Sequence, residues 1–240
     1  MIKLRVFCVA ALLSAVSLPS LALTDSGQKS LQLLQSRWAE INYQVPAAQR
    51  EAEFAKLAAE ADTLVRSNPQ DAEFYIWRGI ILSTYAGAKG GLGALDLVKQ
   101  SKVSLEQAVA LDPKALDGSA YTSMGALYYQ VPGWPIGFGD DEQAEKLLKQ
   151  ALQLNPNGID PNYFYGDFLF RQKRYSEAKL ALEKAQAATA RPGREVADRG
   201  RQAEIAALLA KVQAEKPRSA DAHNVAPRQP QLAVAKILTD

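Results

Sequence analysis

Residues 162–185 read NYFYGDFLFRQKRYSEAKLALEKA. One glycine, Gly166, stands among bulky residues, with Asn162, Tyr165 and Leu169 around it. Twelve residues on come Ala178, Leu182 and Ala185 at helical spacing. The same order recurs toward the N-terminus as Tyr121, Met124, Gly125 and Tyr128, followed by Ala144, Leu148, Ala151 and Pro156. It recurs again as Tyr75, Arg78, Gly79 and Leu82, followed by Ser101, Leu105, Ala108 and Pro113. In the third copy Pro192 comes two positions late and Asn162 replaces the aromatic residue.

Strand signals are missing between these positions, and alanine, leucine, glutamate, lysine and glutamine dominate, so the chain reads as nearly all helix. Each copy is two helices. The glycine of the first helix lets the second approach closely, small residues of the second occupy the crossing, and bulky residues interlock around them. Proline then closes one unit and opens the next. A lone hairpin cannot bury its apolar stripe, so several must stack.

This recurrence resembles the tetratricopeptide repeat, whose unit of about 34 residues carries glycine, alanine and proline in the same order. The resemblance covers residues 70–192. It implies an all-α right-handed solenoid of antiparallel helix hairpins, with the first helices lining an inner, partner-binding face. Upstream, 23–69 reads as an N-terminal helix pair, Ser26–Tyr43 and Ala47–Ser67, that is a degenerate repeat or cap. Downstream, 193–216 reads as a capping helix with Ile205, Leu208, Leu209 and Val212 on one face, and 217–240 as a flexible tail.

The glycine-to-small-residue distance shows where the repeat is broken. It is 12 residues in the third unit, 22 in the first and 19 in the second. Two hairpin loops are therefore predicted to be enlarged, Tyr85–Leu95 (YAGAKGGLGAL) and Val131–Asp140 (VPGWPIGFGD). Equivalent loops of stacked hairpins lie side by side, so the two should share one edge. There Lys89, Trp134 and Phe138 could cover a ligand; the alternative is that Trp134 merely tucks against the array. The glycine run lacks the order of a phosphate-binding loop.

Counting register from the three glycines places Ile76, Ile80 and Thr84, then Thr122, Tyr129 and Gln130, then Tyr163, Asp167 and Arg171 on the expected binding face. This mixture suits a peptide or a modest organic molecule better than a polyanion. Asp140 with Gln143 reads as a capping box, and Asp160–Pro161 as a helix cap with a first-turn proline. Arg191, Arg194, Arg199 and Arg201 form a basic cluster that could hold an anion or a membrane surface; Glu195, Asp198 and Glu204 nearby favour a solvated, balanced face.

The first residues, MIKLR and then VFCVAALLSAVSL, with Ser20 and Ala22 after Pro19, read as a Sec-type signal peptide over 1–22 with cleavage after Ala22. The apolar run is too short for a comfortable membrane span. Export to the periplasm or beyond follows as an expectation. Removing this segment removes Cys8, Lys3 and Arg5, which takes the net charge from +2 to zero. A neutral chain offers nucleic acid no global field.

With one cysteine and one histidine in 240 residues, structural zinc, haem and iron–sulfur clusters find too few ligands, and no cofactor is expected. His223 falls in the expected tail, which leaves no rigid base for a nucleophilic triad. Asp140, Asp141 and Asp167 are the carboxylates open to hydrolytic chemistry, each with a simpler role available. The reading is a non-enzymatic periplasmic module holding an envelope protein or peptide. A looser similarity to the tetratricopeptide-type accessory component of tripartite (TRAP) periplasmic solute transporters implies, alternatively, a small organic ligand enclosed by the long loops.

Overall fold

The computed structural model describes residues 23–91 and 93–223, with side chains through 215. The expected signal peptide, 1–22, and the end of the expected tail, 224–240, lie outside the described residues. Nine helices and no strand are found among the described residues: α1 Asp25–Tyr43, α2 Ala47–Ser67, α3 Ala72–Lys89, α4 Gly93–Leu111, α5 Ala115–Gln130, α6 Asp141–Leu154, α7 Ile159–Arg171, α8 Tyr175–Gln186 and α9 Glu195–His223. None is long and apolar enough to cross a membrane.

The three repeated glycines act alike. A Cβ added at Gly79, Gly125 or Gly166 would lie 2.6, 2.7 or 2.7 Å from Cγ of Leu105, Leu148 or Leu182, respectively. Each of those leucines is fully buried, as are Ala108, Ala151 and Ala185 one turn further on. The leucine side chain thus fills the volume that a side chain at the glycine would need. In the first hairpin Ser101 and Ser104 are buried as well, and their hydroxyls donate to the carbonyls of Gly79 (2.6 Å) and Tyr75 (2.8 Å). These bonds satisfy both hydroxyls within the crossing.

The hairpins α3–α4, α5–α6 and α7–α8 stack in order. The odd-numbered helices do more. Each packs on the next, α1 on α3, α3 on α5, α5 on α7 and α7 on α9, and α9 returns to pack on α1. The inner layer is therefore a closed ring of five helices. At the closure Gly200 of α9 lies against the Tyr43 ring of α1, and the Tyr43 hydroxyl donates to Glu204 at 3.4 Å. Burial, chiefly, pushes the Tyr43 phenol up to about 12. Ile205, Leu208, Leu209 and Val212 of α9 are buried against the last hairpin, as the capping pattern predicts.

Four expectations need correction. The first enlarged loop is not a loop: α3 runs to Lys89 and α4 starts at Gly93, so most of the extra residues prolong the hairpin. Alanine and leucine sustain that helix, and the turn is left to Gly90 and Gly91, at φ 64° and 62°, conformations glycine adopts without Cβ strain. Asp160 is not a cap. Helix α7 is capped by Gly158, and the Asp160 carboxylate is drawn to arginines instead. The final helix continues past residue 216 to His223, so the start of the expected tail has a helical backbone. The basic cluster is not a solvated face, as its geometry below makes plain.

The second enlarged loop, 131–140, is irregular as expected, with a cis Trp134–Pro135 peptide. Asp140 closes it as the N-cap of α6, accepting from the Gln143 N–H at 3.0 Å.

Candidate functional site

The helix ring surrounds a partly open cavity of about 1050 Å³. Its wall runs from Trp38 and Tyr43 of α1 through Trp77, Ile80 and Thr84 of α3 and Thr122, Ala126 and Gln130 of α5 to Asp160 and Phe164 of α7 and Arg194 and Arg201 at α9. The start of α4 contributes Ala94, Leu95 and Val98. Gly91 from one hairpin turn and Val131, Pro132 and Ile136 from the enlarged loop line the same space. The two altered hairpin ends thus flank one cavity, as their equivalent positions in the repeat require.

Of the twelve residues singled out in the sequence, Ile80, Thr84, Thr122 and Gln130 line the cavity. Thr84 accepts a hydrogen bond from the Trp38 indole N–H at 3.0 Å and donates to the Ile80 carbonyl. Tyr129, Asp167 and Arg171 are brought together, but with one another. The Tyr129 hydroxyl donates to Asp167 at 2.8 Å, Arg171 Nε donates to the same oxygen at 3.1 Å, and Gln130 donates to the Tyr129 hydroxyl at 3.2 Å. Burial and the adjacent Asp167 carboxylate push the Tyr129 phenol up. This group ties α5 to α7.

Tyr163 lies under the Arg201 guanidinium, 4.4 Å from its ring centroid, rather than in the lining. Ile76 is fully buried in the core shared by the first and second hairpins. Lys89 pairs with Glu51 at 3.3 Å and sits over the Tyr85 ring. Phe138, not Trp134, anchors the enlarged loop, meeting Tyr128 edge-on at 5.4 Å. Trp134 is 90% exposed and Ile136 61%.

The carboxylates named for hydrolytic chemistry each have a structural partner: Asp140 caps α6, Asp141 accepts from Gln172 at 2.7 Å, and Asp167 is held as above. No group of three or more metal-ligating side chains occurs among the described residues.

Of the arginines that the sequence reads as a basic cluster, three lie at the cavity, two of them joined to Asp160, a partner the sequence did not connect to them. Asp160 accepts from Arg191 Nη1 at 2.7 Å and Arg201 Nε at 2.9 Å. Arg191 also reaches Asp198, and Arg201 reaches Glu204 at 2.6 Å. The arginines come from the last loop and α9, and Asp160 from the first turn of α7, so the network welds the ring where it closes. Burial opposes a charged Asp160, but Arg201 and Arg191 outweigh it and hold the carboxyl at about 2. Arg194, lying 5.0 Å over the Trp77 ring, belongs to neither pair. Only Arg199 of the predicted cluster is on the outside.

Other cavity features also escaped the sequence. Leu116 and Asp117 line it with φ of 47° and 53°, followed by Gly118 at 75°. Two non-glycine residues in succession are thus held left-handed, at about 1–2 kcal/mol each. Gly118 is needed there, because a Cβ would come within 2.5 Å of Leu154.

Residues 136–212 match the tetratricopeptide repeat family model. No curated protein matches the chain. Among solved structures, a thermophilic TPR protein of Thermus thermophilus is 22% identical over 82% of this chain and 94% of its own, with a TM-score of 0.52. The crystal structure of MamA is 18% identical over 72% of this chain and 95% of its own, with a TM-score of 0.41. Residues 136–212 thus match the tetratricopeptide repeat model, and the all-α helical solenoid shares its fold with a solved TPR protein.

Proposed function

We propose that this chain is a non-enzymatic, exported binding module that encloses a small organic molecule inside its helix ring and works beside an envelope protein. The observation that carries the reading is the closure of α9 on α1, which turns the inner face from an open groove into a bounded cavity. Tetratricopeptide arrays are in general non-enzymatic protein-interaction modules. An extended peptide needs a groove open along its length, whereas about 1050 Å³ bounded by tryptophans, aliphatic side chains, a few hydroxyls and a cluster of charged groups is the form of a small-molecule site. Export rests on the signal-peptide pattern of residues 1–22.

A protein partner is favoured by a separate observation. Trp134 and Ile136 stand exposed on the loop at the cavity's edge, an apolar pair placed where a neighbouring protein would meet it. A thermal-shift screen of organic acids, alcohols and amines tests the cavity, because a ligand bound only to the folded state raises Tm. Ile80→Trp, which pushes a bulky ring in from the cavity wall, should reduce any shift found; a shift unaffected by it would place the ligand elsewhere. Crosslinking in the cell envelope through a photoreactive residue at Trp134 tests the partner. The proposal fails on that side if the crosslinks are the same from an exposed position on the far face, such as Leu180.

A further inference from the structure

Four arginines line the cavity; Arg50 donates to the Val45 carbonyl at 2.8 Å, and of the three near Asp160 two are neutralised. Arg191 donates to Asp160 and Asp198, and Arg201 donates to Asp160 and Glu204. Arg194 makes no ion pair within 4 Å among the described residues, although Asp160 and Asp198 act on its charge from farther off, and its Nε is a buried donor without an acceptor there. Buried arginines are ordinarily paired, and a guanidinium N–H left without an acceptor is uncommon in a folded interior.

What Arg194 does have is a platform: the Trp77 ring lies beneath its guanidinium, 5.0 Å away, and both side chains line the cavity. An aromatic face below fixes the fork of N–H donors and leaves its edge for a planar acceptor. From Trp77 the wall continues along α3, α5 and α4 as Ile80, Ala126, Leu127 and Val98. The same cavity thus offers a guanidinium at Arg194 and apolar surface along Ile80, Leu127 and Val98.

Resting on the reading of the cavity as a small-molecule site, we propose that Arg194 on its Trp77 platform is the seat for the head group of an amphipathic monocarboxylate whose apolar body lies along Ile80, Leu127 and Val98. The carboxylate is the planar, bidentate complement of the guanidinium fork. A single charge is specified because the ionised Asp160 stands in the same wall and repels a second one. Burial and the neighbouring Arg191 disfavour the charge on Arg194 and outweigh Asp160 and Asp198, which favour it; an arriving anion relieves the remainder.

The test is calorimetric titration at pH 8 of the purified protein with octanoate, decanoate and indole-3-acetate, each against its alcohol, and with decyl phosphate. The carboxylates should bind about tenfold or more tightly than the alcohols, as a charge-assisted pair requires. Decyl phosphate should bind less tightly than decanoate. Arg194→Gln should bring carboxylate affinity down to that of the alcohol and leave the alcohol unchanged. Arg194→Lys should keep part of the preference, and Arg199→Gln, altering an outside arginine, should keep all of it. If alcohols and carboxylates bind equally and Arg194→Gln changes neither, the seat is refuted while the cavity site stands. Tighter binding of decyl phosphate refutes the single-charge specification. If no compound of either class binds, the cavity reading falls and the seat with it.

Discussion

Replacing Asp160 with asparagine removes the one carboxylate that two cavity arginines share, while nearly conserving its shape. Its partners lie at 2.7 Å and 2.9 Å, and its side chain retains 28% exposure. Moving from an ordinary 3.8 to about 2 is worth about 2 kcal/mol of folding stability at neutral pH. Because the folded pKa is depressed, that stability is complete above about pH 4 and is lost as pH falls toward 2. Asparagine also leaves Arg191 and Arg201 with one acceptor fewer, which adds to the loss. Urea unfolding followed by far-UV circular dichroism should show Asp160→Asn less stable by about 2–4 kcal/mol at pH 7. The gap should narrow through the acid window and nearly close by pH 2. Taking the difference between proteins removes the contribution of other carboxylates. A gap under about 0.5 kcal/mol at pH 7, or one that does not change with pH, would refute the reasoning.

Gly125→Ala puts a methyl group 2.7 Å from Leu148 Cγ and should cost about 1–3 kcal/mol. Pairing it with Leu148→Ala should be less destabilising than the two single costs added together, a double-mutant cycle in urea being the measurement. Asp117→Gly relieves a residue held at φ 53° and should raise stability by about 1 kcal/mol, read as a higher urea midpoint at unchanged slope. Trp134→Ala should leave the urea midpoint unchanged within about 0.5 kcal/mol, since the ring is 90% exposed, while reducing any Trp134-dependent crosslink to a partner.

The hairpins were legible because their decisive contacts are local. Gly166 meets Leu182 sixteen residues away, and the same pairing three times over leaves little room for another fold. Charge pairing was harder to place. Arg191 does bond Asp198 and Arg201 does bond Glu204, as their spacing implies. What places these groups inside is Asp160, 41 residues before Arg201, whose pattern with Pro161 reads equally well as a cap. The excess of residues between Gly79 and Ser101 was countable, but not its form. YAGAK continues the helix of α3, and only Gly90 and Gly91 turn the chain.

Candidate positions fared according to the same distinction. Ile80, Thr84, Thr122 and Gln130 follow from helix register and face inward. Tyr129, Asp167 and Arg171 have the composition of a binding face, yet their polar atoms satisfy one another across α5 and α7. Trp38 and Trp77 carried no signal, since an aromatic residue at helical spacing reads as core, and both border core and cavity. Least legible was the return of α9 to α1, where Tyr43 meets Glu204 across 161 residues and no repeat pattern prescribes the meeting.

That closure bounds the cavity, and a disulfide across it is the direct test. Gly200 of α9 adjoins the Tyr43 ring, so cysteines at the two positions lie within bonding reach. Tyr43→Cys with Gly200→Cys, in a Cys8→Ser background, should oxidise in air to an intramolecular disulfide, seen by intact mass and by faster migration on a non-reducing gel. Two free thiols persisting in a protein whose circular dichroism remains helical would show an open array and contradict the account.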